Sequence, residues 1–154
     1  MSTGYTEALR PEHEAPLMRP LTDRDHKHAH MLYEAHSAFK EGDVDRLFAN
    51  IAPDAIWHMP GDNVLAGDYV GHDEIMRNFG MLQQAVDAYW AHPLDYYGSD
   101  DHVTLIAEVR ARKGAKELHT KEAMTWRIEN GQLKECWHLC LEPDKWDAFF
   151  SADQ

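Results

Sequence analysis

The second half of this chain most constrains its fold. Three runs, 102–112, 118–128 and 133–141, alternate side chains with a period of two across short turns. Between the last two stands Asn130-Gly131, a pair suited to the positive φ angles of a tight hairpin. In the last run Leu133, Glu135, Trp137, Leu139 and Leu141 share one face, and Cys136, His138 and Cys140 the other. A sheet with one wet face should alternate apolar with charged residues. Here both faces avoid water, so both are expected to be covered, one by helices and the other by a second subunit. In the preceding run Glu122 sits among Leu118, Thr120, Met124, Trp126 and Ile128. A carboxylate there needs a partner, or its pKa rises. In 102–112, Thr104, Ile106, Glu108 and Arg110 oppose Val103, Leu105, Ala107 and Val109.

The first half reads as helices. From Asp23 a helical stripe carries Leu32, Ala35, His36 and Phe39, and Gly42 supplies the stop. Asp43 caps a second helix with Val44, Leu47, Phe48 and Ile51 inward, ended by Pro53. A short strand, 55–59, sets Ile56 and His58 against Trp57 and Met59. The segment from Pro60-Gly61 to Gly71 reads as a loop, and 73–86 as a third helix with Ile75, Phe79 and Leu82 on one face. Residues 94–97 form another short strand, and Trp146, Phe149 and Phe150 suggest a terminal helix. Helices followed by an antiparallel sheet make an α+β fold. Residues 1–22, with Pro11, Pro16 and Pro20, read as an irregular arm, and 23–154 as one domain.

Composition narrows the function classes. The 154 residues, 44% of them apolar, suit one globular domain with a single core. A net charge of −12 with only 15 Lys and Arg would repel a phosphate backbone, so nucleic acid is excluded as a partner. No run approaches the roughly 18 apolar residues of a membrane span, and the first residues lack a signal peptide's apolar core. Cys136 and Cys140 would lie about 13 Å apart at about 3.3 Å per residue, too far for a disulfide. A reducing, cytoplasmic setting is the expectation.

Several segments together resemble a known family: Glu41-Gly42-Asp43, the run from Trp57-His58-Met59-Pro60-Gly61 to Leu65-Ala66-Gly67-Asp68-Tyr69-Val70-Gly71, Arg127-Ile128-Glu129-Asn130-Gly131 and Glu135-Cys136-Trp137. They are similar to the SnoaL-like group of the nuclear transport factor two-like, or ketosteroid isomerase-like, superfamily. The resemblance implies a cone: a strongly curved antiparallel or mixed sheet wrapped around three helices, enclosing a cavity and dimerising through its outer face. Trp57, Trp137 and Leu139 are the residues expected at that dimer contact. The superfamily spans isomerases, polyketide cyclases, epoxide hydrolases, dehydratases and members without catalysis, so fold alone does not choose the reaction. Matched to the epoxide hydrolases, His58, His138, Glu108 and Arg110 replace the cavity asparagine, an acid and an Arg-x-Asp pair. Matched to the ketosteroid isomerases, Met124 stands where the oxyanion acid would be, and Met59 where the base would be.

The resemblance thus implies a cavity lined by Ile56, His58, Glu108, Arg110, Thr120, Glu122, Met124, Cys136, His138 and Cys140, with Phe79 from the third helix. Imidazole can take and return a proton near pH 7, and a neighbouring carboxylate would orient it. His58 or His138 is therefore the expected base, and Glu108 or Glu122 its orienting group or the acid. Arg110 would hold an enolate or carboxylate oxygen, and Thr120, Met124, Ile56, Phe79 and Cys136 would contact substrate. These histidines and glutamates lie on separate strands without a ligand-spacing motif, so neither metal nor cofactor is expected. His26, His28 and His30 read as a solvated helix start. The expected function is acid/base chemistry on a small hydrophobic metabolite, of isomerase, cyclase or dehydratase type. The alternative is a pocket of the same kind that binds without catalysis.

Overall fold

The structure is a computed structural model describing residues 20–152. Residues 1–19, most of the expected arm, lie outside the described residues. Helices α1 (Lys27–Glu41) and α2 (Val44–Phe48) come first, then strands β1 (Ile51–Met59) and β2 (Gly67–Val70), helix α3 (Gly71–Gln84), strands β3 (Ala88–Gly98), β4 (His102–Lys113), β5 (Lys116–Glu129) and β6 (Gln132–Cys140), and helix α4 (Pro143–Phe149). The six strands form one curved sheet in the order β2-β1-β6-β5-β4-β3. All neighbours pair antiparallel except β1 with β6, so the sheet is mixed. Helix α1 packs on β3 and β4, α3 on β1 and β2, and α4 on β5. None of the described helices is long and apolar enough to cross a membrane.

Local chemistry explains the element ends. Gly42, at φ 77°, closes α1 by donating its N–H to Ala38 and Phe39. The Asp43 side chain accepts from the Arg46 N–H at 3.2 Å and starts α2. Asn130 and Gly131, at φ 52° and 74°, make the β5–β6 hairpin.

Four elements differ from the sequence expectation. Helix α2 stops at Phe48, and Ile51 and Pro53 belong to β1, because Leu133 of β6 already donates to the Asn50 carbonyl at 2.8 Å. The Gly67–Val70 segment is an edge strand, not loop. Helix α3 opens at Gly71, two residues earlier than the apolar stripe indicated. Strand β3 is eleven residues long and carries Pro93 inside it. Proline is tolerated there because β3 is the sheet's edge and its register shifts between Pro93 and Asp95.

The concave face is set by register. Residues paired across neighbouring strands share a face, and Trp57 pairs with both Tyr69 and Cys136, while His58 pairs with Asp68 and Trp137. Trp57 and Met59 therefore point into the core, and Ile56 and His58 point outward. Turning the indole to water would forgo at least about 2–3 kcal/mol of burial. Turning His58 inward would strip it of the two carboxylates it meets outside. In β6 the pairing shifts between Leu133 and Glu135, adding one residue around Lys134. That irregularity puts Leu133 on the buried face with Cys136 and His138, not with Trp137. In β4 the face carrying Val103, Leu105, Ala107, Val109 and Ala111 is almost fully buried, so Glu108 and Arg110 face away from the core.

Candidate active site

Between the concave face and the helices lies a cavity of about 80 Å³. That is several times the roughly 10–15 Å³ one water requires. Its wall is mostly apolar: Leu32 and Phe39 from α1, Phe79 and Leu82 from α3, Trp57 and Met59 from β1, Met124 and Trp126 from β5, and Trp146 from α4. Trp57 packs edge-on against Phe79 and Trp126, with ring centroids 5.6 and 5.7 Å apart. Against this lining stand a few polar groups: Glu122, His138, His36, Tyr89 and Asn78.

Glu122 and His138 form a hydrogen-bonded pair, Oε2 to Nε2, with both side chains only 3% exposed. Both point inward because Met124 pairs with His138 and Glu122 with Cys140 across β5 and β6. Trp146 packs on the His138 ring at 4.9 Å between centroids, fixing its plane. Burial alone would lower the imidazole's pKa. The Glu122 carboxylate, with the Cys140 sulfur 3.8 Å from Nδ1, outweighs burial and raises it to about 9. His138 is therefore an imidazolium at neutral pH, charge-paired inside an apolar wall. The other Glu122 oxygen has no partner among the described residues.

His36, on the apolar stripe of α1, behaves oppositely. Burial, then the charges of Lys40 and His92, pull its pKa to about 3, so this imidazole is neutral. Burial, then Glu122 and Cys140, push the Tyr89 phenol well up, keeping it protonated. Asn78 donates to the Leu65 carbonyl at 3.4 Å. The indole N–H groups of Trp57 and Trp146 are buried without an acceptor among the described residues. Unmet buried donors are uncommon, and both belong to residues of this wall.

The expected site residues divide in two. Glu122, His138, Met124 and Phe79 lie together on the cavity. Cys136 and Thr120 are buried on the same sheet face but do not line the cavity, and Thr120 donates to Glu142 Oε1 at 2.9 Å. Ile56, His58, Glu108 and Arg110 lie on the opposite face. There His58 bridges Asp68 and Glu135, each at 2.7 Å, and stacks on Trp137. Burial opposes its charge, but the hydrogen bonds it donates to Glu135 and Asp68 raise its pKa. Glu108 accepts from Arg110 at 3.2 Å and pairs with His119 at 2.8 Å; these bonds overcome its burial and hold its carboxyl low. The expected placement of His58, Glu108, Arg110 and Ile56 in the cavity is thus corrected, as is that of Trp57 on the outer face. The reason is the same throughout: alternation groups residues within a strand, while register between strands decides which group faces in.

His36 was legible as inward from its helical spacing, and Asn78 falls on the α3 stripe with Ile75 and Phe79. Tyr89 carried no such signal, because most of β3 gives no clear period. Among the described residues no group of three or more His, Cys, Asp or Glu is placed to hold a metal ion.

A family model described as "SnoaL-like domain" matches residues 32–136. An uncharacterized protein of Mycobacterium bovis is 26% identical over 117 residues, covering 75% of this chain and 89% of that protein. Among solved structures, Bal32a from a soil-derived mobile gene cassette superposes with a TM-score of 0.74 at 27% identity, over 79% of this chain and 95% of its own. An NTF2-like protein of unknown function from Burkholderia pseudomallei gives 0.71 at 20% identity, covering 80% and 96%. A candidate polyketide cyclase from Sinorhizobium meliloti gives 0.58 at 21%, covering 71% and 93%.

Proposed function

The chain belongs to the SnoaL-like domain family, within the nuclear transport factor two-like superfamily, and from that footing we propose that it is a small-molecule enzyme of isomerase or cyclase type. The observation that carries this reading is the Glu122–His138 pair, a charged couple at the wall of an otherwise apolar cavity. Burying two charges is unfavourable unless they are well paired, and such groups cluster at functional sites.

The roles proposed differ from those expected from the sequence. His138, held as an imidazolium, cannot serve as the resting base. The free oxygen of Glu122 accepts a proton from an acidic C–H or O–H of the bound molecule. The imidazolium balances the charge that results and can return a proton. Proton removal at one carbon with return at another is isomerisation; removal followed by carbon–carbon bond formation is cyclisation. The indole N–H groups of Trp57 and Trp146 suit a ligand that carries oxygen acceptors on an apolar body. No cofactor enters this scheme.

The test is deuterium incorporation. Cyclic ketones with acidic C–H bonds, incubated with the protein in D2O, are expected to exchange at the α-carbon by NMR. Glu122→Gln and His138→Gln should slow exchange by about 10²–10⁴-fold, while His58→Ala leaves it unchanged. Exchange that survives both cavity variants contradicts the reading. Saturable binding without any wild-type exchange would assign the cavity to ligand binding instead.

The proposed partner is a second copy of the chain on the outer sheet face. Leu139 and Leu141 of β6 and its following residue are 49% and 53% exposed there, beside Trp137. Two free thiols suit a reducing cytoplasm.

A further inference from the structure

At the end of β6 the same face carries a third reactive group. Cys140 stands opposite Glu122 in the β5–β6 register, two residues beyond His138. His138 thus lies between them: Nε2 bonds to Glu122, and Nδ1 lies 3.8 Å from Cys140 Sγ. A nucleophile, an imidazole and a carboxylate that orients it, in that succession, is the arrangement that activates a thiol. Trp146, tilted against the ring at 4.9 Å between centroids, leaves the imidazole little freedom to turn away.

The two cysteines differ in access. Cys136 is wholly buried, and burial with the nearby Glu122 charge pushes its thiol well up, so it is inert. Cys140 is only half-buried, and the exposed Leu141 and Glu142 follow it. Cys140 is the last residue of β6, where the strand leaves the core and the chain turns to solvent.

We propose that Cys140, with His138 and Glu122 behind it, is a nucleophilic thiol site that adds covalently to α,β-unsaturated carbonyl compounds. The thiol gives its proton to water, leaving a thiolate paired with the Nδ1–H of the His138 imidazolium, which regains from water the proton it later gives up. The sulfur lone pair forms a bond to the β-carbon, and the C=C π pair moves through the α-carbon onto the carbonyl oxygen. The resulting enolate takes the proton from His138 at the α-carbon. The net change is addition of S–H across C=C, with no oxidant or reductant. The class follows from the pairing: a soft sulfur attacks soft conjugated carbon, and the adjacent imidazolium supplies the proton the product needs. Glu122 is a positioning residue here, acting through His138, which pairs with the sulfur and supplies the proton. The inference stands apart from the proton-exchange reading, because it concerns adduct formation at Cys140 and not turnover of a ketone.

The probe is N-ethylmaleimide, itself an α,β-unsaturated carbonyl compound, followed by intact mass and peptide mapping of the full chain. The folded protein is expected to gain one adduct, at Cys140, and none at Cys136; Cys140→Ser should gain none. Glu122→Gln and His138→Asn should slow adduct formation at Cys140 by fivefold or more, with circular dichroism checking that each is folded. If His138→Asn does not fold, Glu122→Gln decides alone. A folded variant slowed by less than fivefold, or an adduct at Cys136 in place of Cys140, overturns the proposal. Loss of ketone exchange without change in adduct formation would contradict this inference and leave the earlier one intact, and the reverse result would do the opposite.

Discussion

At the scale of single residues, two histidines in one cavity are driven to opposite protonation states by their neighbours. His138 faces a carboxylate and is raised to about 9; His36 faces Lys40 and apolar side chains and is lowered to about 3. Both shifts are measured from an unfolded value near 6.5. Between about pH 3 and 6.5 the unfolded chain holds a proton on His36 that the folded chain lacks, so stability rises with pH. Between about 6.5 and 9 the folded chain holds a proton on His138 that the unfolded chain lacks, so stability falls with pH. Urea unfolding across this range should therefore trace a dome centred near pH 6.5; a curve that keeps rising to pH 9 would contradict the His138 assignment. The pair also carries a mutational signature. Removing Glu122 breaks the buried pair and forces His138 to give up its proton at pH 7, so Glu122→Ala should destabilise by about 3–5 kcal/mol. Replacing both by leucine should be close to neutral, because neither charge remains to be desolvated.

At the scale of elements, the strands 102–112, 118–128 and 133–141, the Asn130-Gly131 hairpin and the apolar stripe of α1 were legible because each depends on local periodicity or local backbone preference. The inward-facing set was not, because it depends on registers between strands distant in sequence. The β1–β6 pairing sends Trp57 inward and His58 outward, and the extra residue of β6 near Lys134 moves Leu133 to the buried face. Neither can be read from one strand alone. Strand β3 was underestimated because Pro93 normally interrupts a ladder, and only its place at the sheet edge makes it tolerable. The end of β3 also approaches α1 closely: a Cβ on Gly98 would fall 2.9 Å from the Ala29 backbone nitrogen. Backbone cannot yield as a side-chain tip can, so Gly98→Ala should lower the melting temperature by several degrees. An unchanged melting temperature would show that α1 is free to shift.

At the scale of the molecule, the sheet divides two kinds of chemistry. Its concave face holds the Glu122–His138 couple within an apolar wall, while its outer face carries the ion-paired groups His58, Asp68, Glu135, Glu108 and Arg110. A second copy covering Trp137 and Leu139 would bury the apolar part of that face. Sedimentation should then give a dimer, shifted to monomer by Leu139→Glu; a wild-type monomer at tens of micromolar would contradict this assembly. The central claim remains the buried Glu122–His138 couple, and its most direct test is an NMR titration of the His138 ring nitrogens. The ring is predicted to stay protonated through neutral pH and to titrate near 9. In Glu122→Gln that midpoint should fall below the ordinary histidine value of about 6.5. A wild-type midpoint at or below 6.5, unmoved by Glu122→Gln, would contradict the account.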